Sequence, residues 1–521
     1  MYDEQHRIDV EISKEIDKNI AVVDSLFENC GDMVKKTFTL RRGKTQLRIY
    51  LVYIDGLVNS EMVERTVLHP LMYEWRSIEE PRPFQNFLEE EIESVDIQKK
   101  DTMEDAVAGV LKGDTSIFVD GYDKVIILSS KSLPVRSIDQ APSEQGTRGA
   151  RDGFNESIRT STALLRRRIK DPKLKILQNQ TGQRSRSEYA ICYMEGMAKP
   201  ELIEKIQRRM ESFDIDALFD SGMLEHLLSG KWYSPFPLCQ STERPDKAAS
   251  ALLEGRVVII LDNSPEVLIV PVTFPMFFQA ADDYYNQWWV ASFARVLRFL
   301  AMVIAIGLPG FYVALTCFHT EVLPTELLLA ISSARTAVTF PVLVEVLLME
   351  FLFELLREAG IRLPGQMGNT IGVVGGLIVG QSAVDAHLVS TIVVIVVALA
   401  AIAAFCIPNE AFASAFRLMK FFLIIMGGIW GFYGFLLGML VLAIHMSNLD
   451  SFGTPYMMPA VGGQAGQYDH IKDYVLRFPI RTMKKRPIYT EEGERVRLRS
   501  FAGKQTSAKE DVPEEKDSNQ E

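Results

Sequence analysis

The distribution of charged and apolar positions divides the 521-residue chain in two near Trp289. The part before this residue is rich in charge. The part beyond Arg298 contains long uncharged runs, and a run of roughly 18 or more apolar residues is long enough to cross the hydrocarbon core of a bilayer. The pattern therefore predicts a membrane domain over residues 291–446, with spans near 296–318, 370–388, 391–407 and 421–446.

The placement of Lys and Arg predicts the orientation of these spans. Arg295 and Arg298 precede the first span, the following loop, residues 319–326, has no Lys or Arg, and the tail, residues 447–496, is basic up to Arg486. The positive-inside rule then places the N-terminal half and the tail in the cytoplasm. Both ends inside require an even number of crossings, which four spans satisfy. A five-span alternative would put the basic tail outside.

One apolar segment carries an unusual number of carboxylates. The predicted membrane-associated helix, residues 341–358, contains four glutamates and one arginine: Glu345, Glu350, Glu354, Glu358 and Arg357. At helical spacing Glu350, Glu354 and Arg357 share one stripe, Glu358 lies beside it, and Glu345 points nearly opposite. Ionisable side chains at membrane depth are costly and often mark ion paths. Glu350, Glu354, Arg357 and Glu358 are therefore candidates for an ion path.

Three interpretations of this helix stay open. In a symmetric ring of subunits, Glu350 and Glu354 would form stacked carboxylate rings that favour cations in a pore or vestibule. Alternatively, the helix lies at the membrane surface, with its acidic stripe in water and Arg357 as a local ion-pair partner. The third interpretation is contact with another subunit.

Three glycines, Gly372, Gly376 and Gly380, fall on one helical face at four-residue spacing. Small residues at this spacing let helices approach closely. The face is therefore predicted to pack against another helix, and a gate is the alternative.

An internal repeat organises the N-terminal half. LKGDTSIFVDGYDKVIIL (Leu111–Leu128) aligns without gaps on LEGRVVIILDNSPEVLIV (Leu253–Val270), which matches Asp120 with Asp262. About 60 residues earlier, LVYIDGL matches ICYMEGM at nearly the same offset. Each copy reads as a strand, helices and a β-hairpin, with a glycine ending the helix before the hairpin. Two related α/β subdomains are the simplest interpretation.

These features give the predicted organisation: an N-terminal extension (1–37), subdomain 1 (38–135), a linker (136–153), subdomain 2 (154–290), the membrane domain, the cytosolic tail and a disordered end (497–521). The fold class is thus a cytosolic N-terminal region of two related α/β subdomains followed by a polytopic transmembrane helical bundle.

Composition excludes several function classes. The net charge of −11 and the lack of a basic stripe with interleaved aromatics argue against nucleic-acid binding. The five cysteines have no C-x-x-C spacing, and the seven histidines form no metal-like group. There is no nucleophile–base motif either, so the sequence predicts no cofactor, no metal and no enzymatic activity.

Several blocks resemble the A subunits of GerA-type spore germination receptors. They begin with TERPDKAASALLEGRVVIILDNSPEVLIVPVTF and continue with LPTELLLAISSAR and FPVLVEVLLMEFLFELLREAGIRLPGQMGNTIGVVGGLIVGQSAVDAHLVS. The resemblance runs from about Phe38 to Pro479. Ala150, Gly365 and Met367 depart from the usual pattern without removing the match. The residues of the first block that carry the family motif are Thr242, Glu243, Arg244, Pro245, Glu254, Gly255 and Asp262.

The resemblance implies a receptor in the inner membrane of a dormant spore. Members of the family work with a transporter-like B subunit and a lipoprotein C subunit, and nutrient binding triggers ion release. The A subunit is the ring-forming, channel-like component, so the resemblance implies a homo-oligomer such as a pentamer, surrounded by membrane lipid. Two alternatives remain open: a non-conducting scaffold in the spore membrane, and a paralogue that acts later in germination.

Overall fold

The computed structural model describes residues 8–42, 45–74, 97–132, 148–362, 378–461, 473–487 and 489–497, together with Glu144 and Gly376. The N-terminal half contains two five-stranded sheets, and neighbouring strands in both sheets are antiparallel. The first sheet has the strand order β1-β2-β4-β5-β3 and the second the order β6-β7-β9-β10-β8. The two orders are the same, position by position.

The elements of the first subdomain are α1 (Ile16–Leu26), β1 (Met33–Arg42), β2 (Thr45–Ile54), β3 (Ile97–Lys100), α2 (Met103–Lys112), β4 (Thr115–Val119) and β5 (Val125–Leu128). The elements of the second are α3 (Ile158–Arg168), β6 (Leu174–Thr181), β7 (Ser187–Met194), α4 (Pro200–Glu211), α5 (Ser221–Leu228), β8 (Gln240–Thr242), α6 (Pro245–Leu253), β9 (Val257–Leu261) and β10 (Val267–Val270).

The predicted repeat is confirmed by these elements. Helix α2 ends before Gly113 and helix α6 before Gly255, and both glycines have a positive φ (91° and 80°). Because glycine lacks a Cβ, it adopts this conformation at little cost and ends the helix. A β-hairpin follows in each copy, β4 with β5 and β9 with β10.

The repeat begins earlier than the predicted start of subdomain 1. Helix α1 packs on the first sheet through Ile16, Val23 and Phe27, which are all buried in the same apolar cluster as Tyr50 and Val52 of β2. Strand β1 begins at Met33. The described part of the segment 1–37, which the sequence suggested to be an extension, is therefore built into the subdomain.

A buried ion pair joins the two subdomains. Arg166 of α3 donates from Nε and Nη2 to the two carboxylate oxygens of Asp32, at 2.7 and 2.9 Å, and both side chains are almost fully buried. A charge removed from water is tolerated only when it is paired and hydrogen-bonded. The pair therefore fixes subdomain 2 against the start of β1.

The C-terminal half is helical. Its elements are α7 (Trp288–Phe318), α8 (Thr325–Arg335), α9 (Val342–Arg362), a helical segment over residues 378–385, α10 (Thr391–Phe405) and the helical stretch Glu410–Ser447. Among the described residues, two of these, Trp288–Phe318 and Glu410–Ser447, are long and apolar enough to cross a membrane, judged by length and composition. Helix α10, at 15 residues, is shorter.

The stretch Glu410–Ser447 reverses direction at Gly431. That residue has φ 64° and ψ −144°, a backbone conformation that is essentially restricted to glycine. A Cβ on Gly438 would lie 2.7 Å from Cδ2 of Leu423, although the two residues would be about 22 Å apart along a continuous helix. The centre of the Phe236 ring lies 5.4 Å from the centre of the Phe416 ring and 6.0 Å from that of His445. The stretch is thus a helical hairpin, with arm 1 at residues 410–430 and arm 2 at residues 432–447.

The hairpin changes the predicted organisation of the helices. Residues 421–446, expected to form one span, divide into two antiparallel helices, and Phe236 of subdomain 2 packs on the ends of both arms. Most of the predicted span 370–388 lies outside the described residues, as do most of the linker 136–153, part of the tail 447–496 and the end 498–521.

Helix α9 runs antiparallel to arm 1. Leu343, near the start of α9, lies against Gly428 near the tip of the hairpin. At the other end, Arg357 of α9 bonds Glu410, the first residue of arm 1. The predicted helix 341–358 is therefore longer than expected, Val342–Arg362, and it spans the same depth as arm 1.

Candidate functional site

The acidic stripe of α9 faces arm 1. Glu350 pairs with Lys420, and their side chains are 1% and 5% exposed. One and two turns further along α9, Glu354 and Arg357 face Arg417 and Glu410. The shared stripe of Glu350, Glu354 and Arg357 that their spacing predicted is confirmed, because all three meet the same helix.

Two arginines and two glutamates form a network at the start of arm 1, the end that lies nearest subdomain 2. Arg357 Nη2 is 2.7 Å from Glu410 Oε1, and Arg417 Nη2 is 3.2 Å from the same oxygen. Each arginine also lies 3.9 Å from Glu354 Oε2. The network is electrically balanced, and it opens to solvent at Glu410, whose side chain is 74% exposed.

The other two glutamates of α9 have partners elsewhere. Glu345 is fully buried: its Oε1 lies 3.1 Å from Arg335 Nη2 of α8, and its Oε2 accepts a hydrogen bond from the Ser390 backbone at 2.9 Å. Glu358 forms an exposed pair with Arg362 at 2.6 Å. Glu358 is thus separate from the buried stripe.

Every carboxylate of α9 therefore has a basic partner in the same chain. The face of α9 that a single chain leaves exposed is largely apolar and includes Val344, Phe351 and Leu355. Glu350 is 1% exposed and Glu354 33% exposed, so the stripe packs on arm 1, and the surface helix remains one of the three interpretations. Carboxylate rings made by Glu350 and Glu354 stay a prediction, and in this chain both side chains face arm 1.

Sequence reasoning missed the basic half of this site. Lys420 directly precedes the uncharged run that begins at Phe421, outside the acidic segment from which the candidates for an ion path were taken. A signal was present, since Glu350 and Glu354 lie four residues apart and Arg417 and Lys420 three, and both spacings put side chains on one helix face. Aligning the two helices in opposite directions pairs Glu350 with Lys420 and Glu354 with Arg417.

Of the three candidate glycines, Gly372 lies outside the described residues. The other two show no tight packing there: Gly376 has no described neighbour within 4 Å of its Cβ position, and Gly380 has ordinary contact with Val394 at 3.8 Å. A close helix approach is found elsewhere. A Cβ on Gly427 of arm 1 would lie 2.7 Å from the carbonyl oxygen of Gly310 in α7, so these two glycines let the backbones touch.

The motif residues Thr242–Pro245 bind the segment that precedes α3, between Glu144 and Phe154, to subdomain 2. Thr242 donates to Glu144 at 2.5 Å, and the buried Arg244 donates to the carbonyls of Glu144 and Ala150. The carbonyl of Glu243 accepts a hydrogen bond from the Phe154 backbone at 2.7 Å. Pro245 is the first residue of α6, where its missing N–H costs nothing.

Asp246, the next residue, links α6 to the root of α7, which comprises the residues just before that helix and in its first turns. It receives a bidentate contact from Arg244 and a hydrogen bond from Tyr285 at 2.6 Å. Burial, and then the hydrogen bond to Asp246, raises the pKa of Tyr285 to about 12, so the hydroxyl remains a donor at neutral pH. Tyr285 also lies against Gly149, where φ is 102° and a Cβ would come within 2.5 Å of the ring.

Glu254 and Gly255 contact the C-terminal tail. The carbonyl of Glu254 accepts a hydrogen bond from Thr490 at 2.9 Å, and a Cβ on Gly255 would lie 2.8 Å from Thr490 Cα and from the Met197 carbonyl oxygen. Asp262 instead caps α3, because its Oδ1 accepts from the Ile158 backbone at 3.1 Å. These motif residues are structural, and none lies in the buried stripe of α9.

A second buried charge cluster joins α7 to the tail. Arg295 is fully buried and contacts Asp283 at 3.0 Å and Asp473 at 2.6 Å, and Arg298 contacts Asp283 at 2.7 Å. Arg477 is also buried and donates to the backbone carbonyls of Asp283, Tyr284 and Asn286. Arg295 and Arg298, which the positive-inside rule used as flanking charges, therefore fix the root of α7 to both neighbouring segments.

In the part of the chain that the structure describes, no group of three or more His, Cys, Asp or Glu side chains could hold a metal ion. The chemistry that the buried stripe offers is electrostatic. It places acidic and basic groups alternately between two apolar helices, where their interactions are weakly screened.

Comparison with known proteins identifies the family. The family described as "Bacillus/Clostridium GerA spore germination protein" matches residues 21–489. In Bacillus subtilis (strain 168), "Uncharacterized membrane protein YfkQ" is 38% identical over 478 residues, 91% of each chain. "Spore germination protein KA" of that strain is 36% identical over 486 residues, 93% of this chain and 88% of the relative. "Spore germination protein B1" of the same strain is 37% identical over 491 residues, 92% of this chain and 100% of the relative.

Among solved structures, one similar chain is described as "Crystal structure of the N-terminal domain of the A subunit of the Bacillus megaterium spore germinant receptor GerK3". It is 27% identical, with a TM-score of 0.41, and the match covers 51% of this chain and 99% of that one. The family match over most of the sequence and the identities to full-length relatives agree with the resemblance found in the sequence. The chain belongs to the GerA family of spore germination proteins.

Proposed function

We propose that this chain is the A subunit of a nutrient-responsive germinant receptor, and that its helical half conducts cations when the receptor is activated. Family membership and relatives named as spore germination proteins support the receptor role. The observation that carries the conducting role is the column of buried acid–base pairs between α9 and arm 1. Ionisable groups buried at membrane depth typically mark ion paths.

The proposed topology places the α/β subdomains and the tail in the cytoplasm and the helices in the inner membrane of the spore. Helix α7, α9, α10, both hairpin arms and the predicted span 370–388 would then cross the membrane, an even number that keeps both ends on the same side. Arm 2 returns the chain to subdomain 2, which agrees with a cytoplasmic tail. The subunit would assemble with a transporter-like B subunit and a lipoprotein C subunit and form a homo-oligomeric ring. The apolar outer face of α9 would meet lipid or a neighbouring subunit.

The ion path assigned here contains Glu350, Glu354 and Arg357, with Glu358 at its cytoplasmic mouth. From Glu350 to Arg357 these pairs extend over about 10 Å of α9 at 1.5 Å per residue, which is about a third of a bilayer core. Because each acid has a base, the column is neutral in this conformation. Conduction then requires the pairs to separate, and this gives the B subunit a step to control.

The complete pairing of the carboxylates also favours a second candidate function. A helix pair locked by permanent ion pairs suits a non-conducting scaffold for other spore-membrane proteins, including a paralogue that acts later in germination. The two functions differ in whether cations cross the membrane. They also differ in whether the charge of Glu350 matters to anything besides folding.

The test is cation flux through the purified full-length protein in liposomes, with and without its B-type partner. We expect potassium flux that the partner regulates, and we expect Glu350→Gln together with Glu354→Gln to reduce that flux. Gln keeps the size and hydrogen-bonding shape of Glu but cannot ionise. Glu321→Gln, which removes an exposed charge beyond the end of α7, is the matched control and should leave flux unchanged. Absence of flux under every condition would refute the conducting role.

A further inference from the structure

The Glu350–Lys420 pair differs from the other pairs of the buried stripe in its position. Lys420 lies ten residues from each end of arm 1, about 15 Å at 1.5 Å per residue. On the side away from Glu354 and Arg417, the residues one turn from the pair are buried and apolar, Val346 on α9 and Leu423 on arm 1. The pair is therefore the most deeply placed of the ionic contacts between α9 and arm 1.

The carboxylate of Glu350 also has unused bonding capacity. Its Oε2 accepts a hydrogen bond from Lys420, whereas its Oε1 is buried and has no hydrogen-bond partner among the described residues. A buried carboxylate oxygen without a partner is expensive, because an ionised carboxylate can accept several hydrogen bonds or ligate a cation. The Glu350 carboxylate can therefore accept a further ligand that Lys420 does not supply.

The base at this position is a lysine, whereas the neighbouring network uses Arg357 and Arg417. An arginine holds its carboxylate through a rigid planar fork, while a lysine is a point charge on a flexible four-carbon stem. Lys420 can therefore leave without movement of arm 1. In its present position the Lys420 Nζ also lies 5.7 Å from the centre of the Phe421 ring, within the range of a cation–π contact.

We propose that Glu350 is a binding site for a monovalent cation, and that in this conformation the ammonium group of Lys420 occupies the site in place of the ion. This inference rests on the proposed function, because it describes how the conducting path is closed. An arriving potassium or sodium ion and the departing ammonium carry the same charge, so the exchange keeps the deepest point of the column neutral. A divalent ion would need further carboxylates.

The first test uses Lys420→Gln in the full-length protein with its B-type partner in liposomes. Removing the ammonium exposes the carboxylate, so basal potassium leak without nutrient should rise about 5- to 150-fold, the range of a typical coupling between sites. Arg208→Gln is the matched control, because it breaks an exposed pair on α4 of subdomain 2, away from the ion path. It should leave the basal leak unchanged.

A binding measurement separates this inference from the proposed function. In detergent, Lys420→Gln should be stabilised against heat by potassium chloride more than by N-methylglucamine chloride, and the wild type should show no such difference. If the wild type conducts under some condition but Lys420→Gln shows neither extra leak nor potassium-specific stabilisation, the cation site is refuted and the channel stands. If nothing conducts but potassium stabilises Lys420→Gln, the channel fails and the site stands.

The neutral double variant Glu350→Gln with Lys420→Gln covers the case in which the single variant does not fold. Replacing both members of a buried pair is far less destabilising than removing one. The cation site predicts that this variant conducts less than the wild type under activation and loses its preference for cations. Wild-type conduction and selectivity in the double variant would show that the pair is only structural.

Discussion

Asp120 and Asp262 lie 142 positions apart and form the same contact in the two subdomains. Oδ1 of Asp120 accepts a hydrogen bond from the Ile16 backbone at 3.3 Å, and Oδ1 of Asp262 accepts one from Ile158 at 3.1 Å. Ile16 and Ile158 are the first residues of α1 and α3, and neither helix has a side-chain cap of its own. Each hairpin therefore caps the helix that opened its own repeat.

We expect Asp120→Ala and Asp262→Ala each to lower the free energy of unfolding by about 1 kcal/mol, the usual loss for a helix cap. The measurement is thermal or denaturant unfolding of the purified protein, followed through the helix signal. Asp123→Ala is the control. It removes a carboxylate of the same hairpin that makes only an exposed contact with Lys14, and it should change stability by no more than a few tenths of a kcal/mol.

Breaking the Arg166–Asp32 pair should be more damaging. Arg166→Met leaves Asp32 charged and buried without its partner, so we expect a loss of about 3–5 kcal/mol. Arg167→Met, at an exposed neighbouring position, should be nearly neutral. The double variant Arg166→Met with Asp32→Leu should recover much of the loss. A single variant as stable as the wild type would show that the two subdomains do not depend on this contact.

The hairpin can be tested by a disulfide. In a background without the natural cysteines, Leu423→Cys combined with Gly438→Cys should form a bond on mild oxidation, because the Leu423 side chain lies next to Gly438. The bond is detected by the loss of both thiols to alkylation and their return after reduction. Leu423→Cys with Ile444→Cys is the control, since Ile444 is exposed and lies six residues further along arm 2. A continuous helix over residues 410–447 would leave both pairs reduced.

A pH dependence should originate in subdomain 2. Burial, and then the charge of Glu266, raises the pKa of Glu225 to about 7, from an ordinary value of 4.5. The folded protein then keeps this proton at pH values where the unfolded chain has lost it. The contribution of Glu225 to stability therefore falls as pH rises from about 4.5 to about 7 and is constant above that window.

Glu225→Gln should remove this part of the pH dependence, so the variant gains stability relative to the wild type at pH 8 but not at pH 4. The readout is the melting temperature at several pH values between 4 and 8. Glu211→Gln, an exposed position on α4, is the comparison and should follow the wild-type curve. Parallel curves for Glu225→Gln and the wild type would refute the assignment.

The repeat could be found from the sequence because its hairpins are short, local and rich in matching residues. The opening helices of the two copies were harder to match. The segment at Ile16 and the segment at Ile158 share little besides their apolar spacing, so only the common capping by Asp120 and Asp262 makes the correspondence evident. Such a contact joins residues 104 positions apart in each copy and leaves no local sequence signal.

The acidic half of the candidate site was visible in the sequence, whereas its basic half was not. Four glutamates in an apolar helix are conspicuous, whereas nothing next to Arg417 and Lys420 in the sequence identifies α9 as their partner. Their role depends on the reversal at Gly431, which sets arm 1 antiparallel to α9. Several glycines lie in that apolar run, and only the backbone geometry distinguishes Gly431 from Gly427, Gly434 and Gly438.

The charge cluster at the root of α7 imposes an order on folding. Arg295 is made well before two of its neighbours in the fold, since Asp473 and Arg477 follow it by 178 and 182 positions. The ribosome must therefore deliver all the intervening helices before this corner of the molecule can close. Until then Arg295 has only Asp283 as a charged partner from the cluster. Completion of the junction is thus a late event, and a chain truncated before Asp473 would retain both subdomains and the helices but leave α7 without its final attachment.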